Sequence, residues 1–206
     1  MTLTNLSAVT LSARISFYAN DGSQLTIPLT FPNSNVASTS SSFADLNIAA
    51  NQTIFINTGG PAGSMNVGWA DVQASGPLEG YAVFSYSQPG GPRSEGTVAL
   101  DTRLSSSVVL PYDNTNGSNT AIALANQSAT ATTITATLLD QSGSPLGTTQ
   151  IVLPALGHSS VFVTNLFSQA ANRAGVIKFQ NPSGNVTAVG LLFYPGGAFT
   201  SLPIIQ

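Results

Sequence analysis

Charge is scarce in this chain. Five Lys or Arg and eight Asp or Glu make up 6% of 206 residues, against about 25% in an ordinary soluble domain. The polar surface must therefore be built from Ser, Thr, Asn, Gln and Gly. With a net charge of −3 there is no basic stripe to neutralise phosphates or anionic headgroups, which argues against nucleic acid and membrane surfaces as partners. Cysteine is absent, which removes disulfides, thiolate metal sites and thiol nucleophiles. One histidine, His158, is the sole imidazole. No stretch reaches the roughly 18 uninterrupted apolar residues of a spanning helix, so no membrane insertion is expected. The opening Met1-Thr2-Leu3-Thr4-Asn5 lacks the basic start and apolar stretch of a signal peptide.

What is present is alternation with a period of two, carried by Val, Ile, Thr, Phe and Tyr, the residues that suit a pleated surface. In Val9-Leu11-Ala13-Ile15-Phe17 every second residue is apolar, with Thr10, Ser12, Arg14, Ser16 and Tyr18 between them. This predicts a strand with one wet face, ending at the hairpin turn Asn20-Asp21-Gly22-Ser23, where Asp-Gly accepts positive φ. The pattern returns as Ile134, Ala136 and Leu138 between threonines, before the turn Gln141-Ser142-Gly143-Ser144.

The two passages align without a gap. Asn5-Leu6-Ser7-Ala8 matches Asn126-Gln127-Ser128-Ala129 at an offset of 121 (126 − 5), and Gly22-Ser23-Gln24-Leu25 matches Gly143-Ser144-Pro145-Leu146 at the same offset. The inward parity agrees as well, which chance rarely supplies. Further along, Gly80-Tyr81-Ala82-Val83-Phe84 aligns with Gly190-Leu191-Leu192-Phe193-Tyr194 at 110 (190 − 80). The first half therefore carries an insertion, placed in the Ser-rich stretch between Phe31 and Phe43. Further strands are expected near 53–57, 65–73, 79–87, 97–100, 107–110, 120–125, 148–153, 159–163, 176–180, 186–194 and 199–203, with one helical turn over 164–172 capped by Thr164 or Asn165. The boundary between halves is placed at Pro111, where Pro111-Tyr112-Asp113-Asn114-Thr115-Asn116-Gly117 is dense in turn formers. The expected fold is all-β: two tandem β-sandwich units related by duplication, 1–110 and 111–206.

The segments Leu110-Pro111-Tyr112-Asp113-Asn114-Thr115-Asn116-Gly117, Leu153-Pro154-Ala155-Leu156-Gly157-His158 and Pro195-Gly196-Gly197-Ala198-Phe199 resemble repetitive, uncharacterised β-sandwich modules of predicted secreted proteins from soil bacteria. The resemblance implies an extracellular or cell-surface, Ig-like or fibronectin-like architecture, often in tandem, with no catalytic residues to carry over. Units of that kind open with a Phe/Pro-containing segment and a first strand, as at Leu110 to Leu124, whereas the first unit here begins at about Leu3, so either the sequence starts within a strand or the first sheet is completed by something else.

Candidate chemistry is thin. His158 and Ser159 are strand neighbours and point to opposite faces, so a Ser-His pair is not expected. Asp21, Asp113 and Asp140 sit beside turns, where accepting backbone N–H bonds explains them. Asp71, Glu79, Glu95 and Asp101 lie near strands in the first unit, and a facing pair among them is the remaining route to glycoside hydrolysis. The segment from Asp113 to Gly117 has one acid and lacks the bidentate Glu of a calcium loop, so a turn is preferred and no metal or cofactor is expected. Trp69, Tyr81, Tyr86 and Tyr112 are the candidate ligand-binding residues, as flat aromatics on which sugar rings stack. For Trp69 a place in the core is favoured over the ligand face. These readings favour a non-catalytic structural or adhesive module, a spacer, stalk or assembly unit. Its partners would be other protein subunits or neighbouring modules joined by strand addition. The alternative is a carbohydrate-binding module whose partner is polysaccharide.

Overall fold

The computed structural model describes residues 1–59, 67–87, 93–101, 105–202 and 204–205, with the side chains at 86, 87 and 93 outside that description. The chain is nearly all strand and divides into two compact units, Met1–Ala82 and Val83–Gln206. Its sheets are antiparallel and do not close into a barrel.

Unit one begins with β1 (Thr2–Asn5) and β2 (Leu11–Ala19), followed by β3 (Ile27–Thr30), β4 (Thr39–Ser41) and β5 (Phe43–Ile48). β6 (Thr53–Phe55), β7 (Asn57–Thr58), β8 (Gly68–Ala74) and the first half of β9 (Leu78–Ser87) follow, β9 continuing past Ala82 into unit two. β6, β1 and β9 lie side by side in a four-stranded sheet, β5-β2-β8 forms another, and β4-β3-β7 makes a small third sheet. Of the stretch between Phe31 and Phe43 that sequence alignment marks as inserted, β4 (Thr39–Ser41) is the one strand, and β3 (Ile27–Thr30) ends just before it. Alternation works as expected in β2: Leu11, Ala13, Ile15 and Phe17 are buried, and the polar residues between them face out. Leu3, Ile27, Leu29, Leu46, Ile48, Ile54, Ile56 and Leu78 are also buried in this unit. Each large side chain fully removed from water contributes about 1.5–3 kcal/mol.

In unit two, β10 (Arg93–Ala99), β11 (Ser107–Asp113), β12 (Asn119–Asn126), β13 (Thr132–Asp140) and β14 (Pro145–Leu153) precede β15 (His158–Phe162). A single helical turn, α1 (Val163–Leu166), and a 3₁₀ turn (Ser168–Ala170) lead to β16 (Ala174–Gln180), β17 (Val186–Phe193) and β18 (Phe199–Leu202). Two four-stranded sheets, β11-β16-β13-β14 and β15-β12-β17-β18, share one core that includes Leu110, Ile122, Leu124, Ile134, Leu138, Ile177 and Phe179. The arrangement is sandwich-like. Phe84, in the part of β9 that belongs to unit two, stacks on Phe199 of β18 at 5.5 Å, and Phe199 lies beside Phe193 of β17 at 5.4 Å. Gly96 makes room for Phe84, because a Cβ there would fall 2.4 Å from its ring.

Two local expectations are corrected. Pro111 and Tyr112 lie within β11 and not in a turn: Pro111 pairs with Val176 and Tyr112 with Gly175. Proline is tolerated because β11 flanks β16 near the sheet edge. The short helix is preceded by Phe162 and not capped by Thr164 or Asn165.

The same polar knot is tied in both units. Asn5 and Asn126 are each fully buried. Asn5 Nδ2 donates to the carbonyls of Val9 (2.7 Å), Ile48 (2.9 Å) and Ala49 (3.0 Å), while its Oδ1 accepts the Ser7 N–H at 2.8 Å. Asn126 Nδ2 donates to Thr130 and Pro154, both at 2.8 Å, and Oδ1 accepts the Ser128 N–H at 3.0 Å. Beside each knot one residue adopts the left-handed region, Asn51 at φ 58° and Leu156 at φ 54°. The hairpin turns agree too. Ala19 donates to Ser23 and Gly22 to Ala19, as Asp140 donates to Ser144 and Gly143 to Asp140, with both glycines at φ 83°.

Candidate functional site

The candidate aromatics lie on β8 (Trp69), β9 (Tyr81 and Tyr86) and β11 (Tyr112). Trp69, on β8, is half-buried and pairs across the ladder with Tyr18, their rings stacked at 5.3 Å. Tyr18 has the parity of Ser12, Arg14 and Ser16, the wet face of β2, so Trp69 belongs to that outer face and not to the core. The expectation of a core tryptophan fails because register, not bulk, assigns the face. Tyr81 is 46% exposed on β9. Tyr86 lies on β9 with its side chain outside the described residues. Tyr112 is the reverse of a platform. It is buried at 3% exposure in the core of unit two, its hydroxyl has no hydrogen-bond partner, and burial pushes its ionisation upward. Its ring is accommodated by Gly175, where a Cβ would stand 3.0 Å from the hydroxyl.

Sequence reasoning passed over Phe55. Thr2 is flanked in the ladder by Phe55 on one side and Tyr81 on the other, and both aromatics are nearly half exposed, at 44% and 46%. Two strand spacings separate them, roughly 10 Å. The signal was present in Thr53-Ile54-Phe55-Ile56. With Ile54 and Ile56 buried at 1% and 0%, Phe55 is forced outward.

The ionisable groups are held by their own local structure. Asp21 accepts the Ser23 N–H and hydroxyl at 2.9 and 2.6 Å, and Asp113 does the same with Thr115. Asp140 accepts from Ser142 and from the Ser144 N–H. Those bonds hold all three carboxyls below the ordinary aspartate range. Asp45 forms an exposed ion pair with Arg14 at 2.6 Å. His158 is buried at the start of β15, opposite Ala125, and desolvation lowers its pKa. Among the described residues no three His, Asp or Glu side chains cluster to hold a metal ion. A depression lies between the turn at Asp140 to Gly143 and the start of β16, with Tyr112 in its lining. Among the described residues no helix is long and apolar enough to cross a membrane.

No family model, curated protein or solved structure matches this chain.

Proposed function

We propose that this chain is a non-catalytic structural or adhesive module of a secreted or surface protein, built from two Ig-like sandwich units related by duplication. The observation that carries the reading is the buried asparagine knot tied twice, each Nδ2 donating to the carbonyl four residues on and to a distant loop carbonyl, each Oδ1 accepting the N–H two residues on, and each with a left-handed residue beside it. On this reading β2, β5, β6, β8 and β9 correspond to β13, β14, β15, β16 and β17. Ladder register supports the correspondence. Asn5 pairs with Leu78 as Asn126 pairs with Val186, which sets the late offset at 108 (186 − 78) rather than the 110 read from the glycines. Gly68 and Gly175 play one part, since a Cβ would lie 2.0 Å from Tyr18 O in the first and 2.2 Å from Leu139 O in the second. A repeat whose conserved geometry is a hydrogen-bonded scaffold, and whose turn carboxylates are taken up by their own turns, suits a spacer or assembly unit.

A second reading rests on the Phe55-Thr2-Tyr81 row. Two half-exposed rings about 10 Å apart, with a hydroxyl between them, suit a polysaccharide chain lying across the strands, because apolar sugar faces stack on flat rings. Retention of the purified chain on cellulose, chitin and xylan distinguishes the two. The structural reading expects none, together with no turnover of a glycoside and ester panel. Saturable retention lost in Phe55→Ala and Tyr81→Ala replaces it with carbohydrate binding, and turnover overturns both.

A further inference from the structure

The edges of the sheets are not treated alike. In unit one β6 is closed by Asn33, whose Nδ2 donates to Thr53 O at 2.9 Å and whose Oδ1 accepts the Phe55 N–H at 2.8 Å, mimicking one residue of a neighbouring strand. β5 carries Asp45, paired to Arg14. In unit two β11 is met by Ile205, which exchanges both backbone bonds with Val109 at 2.8 and 2.9 Å. These are recognised ways of blunting an edge.

β14 has none of them along its middle. It is the longest edge strand of its unit at nine residues, it pairs with β13 alone among the described residues, and Thr148-Thr149-Gln150-Ile151-Val152 contains no charge, proline or bulge. Val152 is 66% exposed. Thr148, Gln150 and Val152 form the outward row, and Thr149 and Ile151 face inward.

We propose that β14 pairs antiparallel with β14 of a second copy of this chain, about a two-fold axis at Gln150. The inference rests on the structural reading above and gives it a partner. An identical strand is the fitting occupant because uncharged residues meet their own copies without repulsion. With Gln150 opposite Gln150, Thr148 falls opposite Val152 and Thr149 opposite Ile151, so inward residues stay inward. The contact is isologous and closes on itself, joining two four-stranded sheets into one and giving a dimer instead of a filament.

The test is the mass of the full chain across concentration by sedimentation equilibrium, with circular dichroism to confirm folding. Wild type approaches twice 21.0 kDa as concentration rises. Gln150→Lys and Gln150→Glu, exposed substitutions, each raise the dissociation constant roughly five-fold by setting like charges face to face. Mixing the two restores the dimer, which only a Gln150 to Gln150 contact explains. A wild type that is monomeric at every concentration, or a dimer indifferent to both variants and their mixture, overturns the proposal. Polysaccharide retention or turnover would instead defeat the structural reading, and the mass measurement is blind to either.

Discussion

Replacing Asn126 by alanine tests the knot that defines each unit. The side chain is 0% exposed and makes two donor bonds and one acceptor bond, to Thr130 O, Pro154 O and Ser128 N–H. Alanine leaves two carbonyls and one N–H without those partners at a fully buried position. At about 1 kcal/mol net per bond, rising where a partner stays unsatisfied, the loss is about 3–5 kcal/mol. For a unit of this size that corresponds to a fall in melting temperature of roughly 10–15 °C. Differential scanning calorimetry and urea unfolding followed by circular dichroism read it directly. Asn5→Ala, which removes bonds to Val9, Ile48, Ala49 and Ser7, is expected to cost a similar amount. A loss below about 1 kcal/mol for Asn126→Ala would refute the reasoning, since it would place the knot within the range of an ordinary surface substitution.

Gly175→Ala sets a methyl group 2.2 Å from Leu139 O, a backbone atom that cannot swing aside, and is expected to lower stability by about 1–3 kcal/mol in thermal unfolding. Gly143→Ala meets no atom within 4 Å but requires φ 83°, so its smaller expected cost, about 1 kcal/mol, separates strain from collision. Acid unfolding should begin as pH falls below about 4. The turn bonds depress the carboxyls of Asp21, Asp113 and Asp140 in the folded chain. Their contribution is present above the unfolded pKa and lost as pH falls through the folded one. A triple Asp→Asn variant is expected to show a shallower acid slope in pH-dependent urea unfolding. His158, held neutral by burial, adds a second loss as pH falls below its ordinary value of 6.5, and His158→Gln removes it.

The face of β2 and of β13 was legible because the pleat has a period of two and one side must leave water. Leu11 to Phe17 and Ile134 to Leu138 announced their parity residue by residue. The turns were legible because Gly22 and Gly143 supply the positive φ that a hairpin requires. Trp69 and Tyr112 were not, for a common reason. Each is an aromatic whose environment is chosen by its cross-strand partner, Tyr18 in one case and Gly175 in the other, and those partners lie 51 and 63 residues away (69 − 18 and 175 − 112). Under the proposed duplication, ladder register differs from glycine matching by two residues, because Gly80 stands opposite Leu3 whereas Gly190 stands opposite Ile122.

Sequence by itself determined the all-β class, the strand faces, the hairpin turns and the absence of thiol chemistry. Each of these follows from side-chain type and local period. Tertiary structure alone decided which carbonyls Asn5 and Asn126 satisfy, where Trp69 and Tyr112 lie, that Phe55 and Tyr81 flank one threonine, and which edges Asn33 and Ile205 close. Those outcomes depend on ladder register between distant segments, and register is fixed only when whole faces pack against one another.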